Sequence, residues 1–236
     1  MLLIAVALPL WEMVEVPKLR ASCTTKDRLR HYGTILGAHF LLTAGSIWML
    51  GWPGVLTGGS TLNLATTTLA NPWLRVSLLV IALAFAVLAL SPFLLSLFKP
   101  NTRIAYTKAV AKTPFSFMFP TTETERWTFA ALSVSAGFCE EVIFRSFLVA
   151  YFAAFGINVF LALAASSLLF GINHGYQGVA GIIKTGVGGF IFGLLFFTTG
   201  SLWVAIILHA IVDLSAIYNF RPDLVETRKQ EQAIVV

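Results

Sequence analysis

Apolar residues run along the chain in long continuous blocks rather than in the strict alternation of a half-buried strand. Seven blocks stand out, at 1–17, 33–52, 76–97, 127–155, 157–172, 179–199 and 202–220. Within the third, LLVIALAFAVLALSPFLL (78–95) carries no charge over a length that a helix needs to cross hydrocarbon. Membrane β-barrels instead alternate over segments of about ten residues with a polar lumen face. The pattern therefore predicts an all-α, polytopic transmembrane helix bundle of about seven to eight membrane segments. Between the blocks lie a basic stretch, PKLRASCTTKDRLRH (17–31), a charge-free loop, GVLTGGSTLNLATTTLANP (54–72), and a second basic loop (99–126). The polar tail RPDLVETRKQEQAIVV closes the chain.

One block is too long. Residues 127–155 would make ~43 Å of helix at about 1.5 Å per residue, against ~30 Å of hydrocarbon. The small residues of LSVSAGF (132–138), with Gly137 among them, predict a break or shallow entry there. A span starting at Gly137 would hold Glu140 and Glu141 near its inner end, at the depth expected for His174. On this reading, a straight helix would leave Glu140 and His174 far apart.

Composition agrees with the pattern. Of 236 residues, 57% are hydrophobic and 11% charged, with a mean hydropathy of +0.82. A soluble domain carries about 25% charge. The whole chain, 1–236, reads as a single integral membrane domain in contact with the lipid bilayer. Its net charge of +5 reports topology rather than a nucleic-acid partner. If 17–31 is cytoplasmic, seven crossings put 99–126, the turn at His174 and the tail on the same side. Fourteen of the sixteen Lys and Arg residues then lie inside or at the inner boundary, the exceptions being Arg75 and Arg145. This predicts N-out, C-in topology, and the short loops fit a prokaryotic plasma-membrane protein. The first block lacks the basic flank and cleavage site of a removed signal peptide. Cys23 and Cys139 match neither a disulfide framework nor a metal-binding spacing.

Ionisable residues inside membrane helices cost about 2.5–3.5 kcal/mol on insertion scales, so each is a functional candidate. Glu12 and Glu15 sit beside Lys18 and Arg20, which predicts interfacial ion pairs. Lys184 can snorkel to the inner face. Glu141 and Arg145 are four apart in the favourable helical order for a pair. Glu140 lies about 100° around the helix and is expected to lack a local partner, as suits a general base. His209 and Asp213 share a helix face, so Asp213 is expected to orient His209. Cys139, Ser146 and Ser215 have no sequence-evident base, and HExxH is absent.

EEVIFR (140–145), FGINH (170–174) and HAIVD (209–213) match EExxxR, FxxxH and HxxxN/D. In this order, with a glycine-rich helix and a TGSLW turn (199–203) before the last motif, they resemble the CAAX-processing and bacteriocin-processing (CPBP/Abi) family of intramembrane glutamate proteases. The resemblance covers about residues 124–220; residues 1–123 read as N-terminal helices and basic cytoplasmic loops. It implies an intramembrane endopeptidase that needs no cofactor and cleaves a membrane-associated peptide or protein from the cytoplasmic side. Carried over by motif, Glu140 and His174 would bind and activate water, Glu141 and Arg145 would hold the site, and His209 and residue 213 would stabilise the oxyanion. Asp213 departs from the Asn of prenyl-protein-processing members, because an ionised carboxylate donates no hydrogen bond.

Other classes remain open to the residues alone. Glu140, His174, His209 and Asp213 are ligand types that would suit Zn²⁺ in a membrane metallopeptidase. A non-catalytic scaffold or immunity-type protein would keep the cluster for packing. A proton-coupled transporter would show matching halves with broken helices, and the first half offers none.

Overall fold

The computed structural model describes residues 2–52, 54–57, 65, 69–99 and 101–227, so most of the charge-free loop and the end of the tail lie outside it. Seven long elements follow the seven apolar blocks. They are α1 (Leu2–Ser22), α2 (Thr25–Leu50), α3 (Pro72–Phe98), a compound helix from Glu123 to Ala154, and three further helices. Between them lie α4 (Asn101–Ala111) and short turns at Gly54–Thr57 and Ser116–Met118. The compound helix comprises α5 (Glu123–Glu140), a π-helical stretch (Glu141–Phe147) and α6 (Leu148–Ala154). The last three are α7 (Val159–Asn173), α8 (Val179–Thr199) and α9 (Leu202–Asn219). Strands are absent among the described residues. Among the described residues four helices, Thr25–Leu50, Pro72–Phe98, Val179–Thr199 and Leu202–Thr227, are long and apolar enough to cross a membrane.

Local chemistry sets the ends. Thr24 accepts the Asp27 amide at 3.2 Å and starts α2. Asn71 caps α3 ahead of Pro72, whose missing amide hydrogen costs nothing at a first helical position. Thr122 and Glu125 form a capping box at the start of α5. Gly200 ends α8 at φ 74°, a left-handed cap that glycine adopts without strain, and α9 turns back beside α8.

The helix does not break at Gly137. A Cβ built there would lie 2.8 Å from the Ala210 amide nitrogen and 2.9 Å from the Ile206 carbonyl. The small residue is thus a contact point that lets the α9 backbone come close to α5. The irregularity comes later, as the π-helical stretch that begins at Glu141. Such bulges insert one residue into the helical repeat and re-aim the side chains around them.

Nor do Glu140 and His174 need a break to meet. Glu140 lies fourteen residues before Ala154, and His174 fifteen after Val159. Measured from the shared turn at 155–158, both lie about 20 Å along packed helices at ~1.5 Å per residue.

Basic segments gather at one end of the bundle. Arg28 on α2 pairs with Glu125 on α5 at 3.0 Å. Arg126 donates to the carbonyls of Ile217 (2.8 Å) and Phe220 (2.9 Å), Arg103 to that of Tyr218, and Arg20 to that of Pro114. These bonds tie 17–31, 99–126 and the end of α9 together. The apolar core lies away from them, around Phe192, Leu195, Phe196, Phe197, Leu163 and Leu202.

Candidate active site

The π-helical stretch is buried along its whole length, with Glu141 and Arg145 at 0% and 1% exposure. A buried carboxylate and guanidinium are tolerable only when each is neutralised. Arg145 Nε lies 3.2 Å from Glu141 Oε2, as the four-residue spacing predicted, and donates to the Gly189 carbonyl at 3.1 Å. Its guanidinium carbon sits 4.1 Å above the Phe170 ring, a cation–π contact. Gly189 leaves the space for this group, because a Cβ there would lie 2.6 Å from Arg145 Nη2. One glycine of the glycine-rich helix therefore makes room for the arginine.

Glu141 also holds His209. The His209 Nδ1 atom lies 2.8 Å from Glu141 Oε1, a hydrogen bond in which the ring donates. Phe192 stacks on the imidazole with ring centres 5.2 Å apart. His209 Nε2 then faces two other carboxylates, Glu140 Oε2 at 3.6 Å and Asp213 Oδ2 at 3.7 Å. The expected orienting role of Asp213 is corrected: at 3.7 Å its contact is looser than that of Glu141. The π-helical stretch brings Glu141 to the ring from another helix, which spacing within HAIVD does not reveal.

His174 is set by its own helix. Its Nδ1 lies 2.9 Å from the Phe170 carbonyl, and because a carbonyl only accepts, Nδ1 carries the hydrogen. Nε2 is left as an acceptor. Burial, and secondarily the charge of Asp213, push the Tyr106 phenol on α4 up to about 12, so it stays a neutral donor.

These groups share one cavity of about 410 Å³, lined by Glu140, His174, His209 and Asp213 together with Glu12, His39 and Tyr106. Apolar side chains such as Phe85, Leu132, Phe170 and Phe192 form the rest of its wall. The cavity corrects two expectations. Glu12 is buried and lines the cavity, whereas Glu15 alone makes the interfacial pairs, to Lys18 at 2.7 Å and Arg30 at 3.8 Å. Glu140 does not lack a partner: His39 Nε2, on α2, lies 3.2 Å from its Oε1. A histidine in the apolar block 33–52 was the available signal for this contact, but no spacing links it to Glu140.

Cys139 faces Ser135 at 3.6 Å, and Ser215 donates back to the Val212 carbonyl at 2.6 Å. Ser146 is buried and lines no part of the cavity. Lys184 is exposed at the cavity edge. Among the described residues no three of His, Cys, Asp and Glu are arranged to hold a metal ion.

Residues 122–215 match the family described as Rce1-like, type II CAAX prenyl endopeptidase. The matched stretch contains all three motifs, so the family that they resemble and the family that matches are the same. No curated protein and no solved structure gave a match. The motif-bearing stretch is thus similar to that family of endopeptidases, and four helices among the described residues are long and apolar enough for an integral membrane protein.

Proposed function

We propose that the protein is an intramembrane endopeptidase that hydrolyses a peptide bond with water activated by Glu140 and His174. The observation that carries this reading is the meeting of a carboxylate, a histidine with a free Nε2 acceptor and an oriented second histidine around one cavity. Water held between Glu140 and His174 Nε2 loses a proton to the carboxylate as its oxygen attacks the carbonyl carbon. His209 carries both ring hydrogens among the carboxylates of Glu141, Glu140 and Asp213; held through Nδ1–H by Glu141, it donates from Nε2–H to the developing oxyanion, and its 3.6–3.7 Å distances to Glu140 and Asp213 leave room for that oxygen. The proton on Glu140 passes to the leaving nitrogen as the C–N bond breaks, and the carboxylate is restored. Asp213 faces the oxyanion side, 3.7 Å from His209 Nε2.

The substrate class of that family, CAAX prenyl, gives the first peptide to try: a prenylated cysteine near the carboxyl end of a chain. An apolar cavity wall agrees with such a membrane-associated substrate. The gathering of basic segments at one end supports an N-out, C-in topology with the site reached from the cytoplasmic side.

Purified protein is to be incubated with a fluorescence-quenched peptide carrying a farnesylated cysteine followed by three residues. Glu140→Gln is expected to lower kcat by about 10²–10⁴-fold with the fold retained, the usual size of a lost general base. Unchanged hydrolysis in both Glu140→Gln and His174→Ala would sink the reading in favour of a scaffold. Stoichiometric zinc by elemental analysis would replace the glutamate-only scheme.

A further inference from the structure

The stretch that carries the three motifs does not complete the site by itself. Its reacting carboxylate, Glu140, leans on a side chain from α2, in the half of the chain that the family match leaves uncovered. We propose that His39 is a positioning residue for Glu140, so that the first half supplies part of the hydrolytic machinery. This rests on the assignment of Glu140 as the base.

Three contacts on one side of α2 fix where His39 stands. Arg28 reaches Glu125 at 3.0 Å, Tyr32 donates to the Met118 carbonyl at 2.6 Å, and His39 reaches Glu140 at 3.2 Å. Positions 28, 32 and 39 fall on one helical face, at spacings of four and seven. The first two contacts anchor α2 against the start of α5 and the turn before it. They set the depth and rotation at which the third is made.

The two nitrogens of His39 are used unequally. The ring is 4% exposed, and Nδ1 is buried without a hydrogen-bond partner. A histidine kept only for packing gains nothing from an unsatisfied buried nitrogen, whose desolvation is unfavourable. The one nitrogen that is satisfied points at the carboxylate. A single N–H to Oε1 restrains rotation of the Glu140 carboxylate and turns Oε2 toward His209 and the cavity. His39 thereby orders the base through its carboxylate.

Kinetics of the full chain on the farnesylated peptide test this. His39→Leu keeps much of the shape and removes the donor; His39→Gln carries an amide N–H of similar reach. Losing one hydrogen bond to a charged group predicts a fall in kcat of about 10–100-fold for His39→Leu, with KM unchanged. His39→Gln is expected to recover most of it. Should His39→Leu fail to fold, His39→Asn replaces it, because its shorter amide does not reach Glu140; it is expected to be slow where His39→Gln is fast. Wild-type kcat in His39→Leu, equal losses in the Gln and Leu variants (or in Gln and Asn), or a change in KM alone would overturn the role. Full activity in Glu140→Gln would overturn this role and the assigned base together, whereas an inactive Glu140→Gln beside a fully active His39→Leu would overturn this role only.

Discussion

Helix α3 and the π-helical stretch 141–147 invert the rule that apolar side chains mark the interior. The α3 helix is almost wholly apolar, yet it buries only Ala82, Ala86 and Ser96, and Val80, Ile81, Val87 and Leu88 stand exposed on its surface. The stretch EVIFRSF holds two charges and is buried throughout. Lipid tails are as apolar as leucine, so burying leucine inside a membrane bundle gains little over leaving it against lipid. Polar groups have no such alternative and collect where other protein groups satisfy them. Beside the apolar core, a charged group in a membrane helix therefore marks the interior more sharply than an apolar one does.

The comparison breaks or sharpens at three places, in order of expected effect. Arg145→Met or Glu141→Gln alone leaves one buried charge unpaired and is expected to cost about 3–5 kcal/mol, read as a lowered unfolding midpoint in detergent. The double variant is expected to regain most of that stability but not peptide hydrolysis, since Glu141 also holds His209. Recovery of both would show that the pair serves packing alone. A smaller effect is expected at Gly137, where Ala would press into the α9 backbone; about 1–3 kcal/mol of overpacking is predicted, with slower hydrolysis as His209 shifts from Glu141. Smallest of all, Leu88→Ala on the exposed face of α3 is expected to stay within ~0.5 kcal/mol by the same unfolding measurement. A loss of several kcal/mol at Leu88 would mean that this face is covered by protein and not by lipid.

Much of the bundle was legible in advance. Each of the seven apolar blocks lies on a long helical element, because continuous hydropathy over a membrane's thickness admits little else. The Glu141–Arg145 pair followed from its spacing. Gly137 was misread because a small residue serves equally at a break and at a close helix contact, and only the position of α9 decides between them. Glu12 was placed at the interface on the strength of its neighbours Lys18 and Arg20, although it stands one turn before Glu15 on the helix, where it meets the cavity. His39 stood alone in an apolar block, with no spacing to tie it to Glu140.

The amino-acid pattern by itself determined the membrane helices, the three motifs and the i,i+4 ion pair, since these depend on hydropathy and on periodicity within one element. Tertiary structure alone decided that Glu141 rather than Asp213 orients His209, that Gly189 accommodates Arg145, and that His39 reaches Glu140. Those facts depend on distances between helices, which are set by the packing of small residues and by a π-helical turn, and neither has a period that a linear sequence displays.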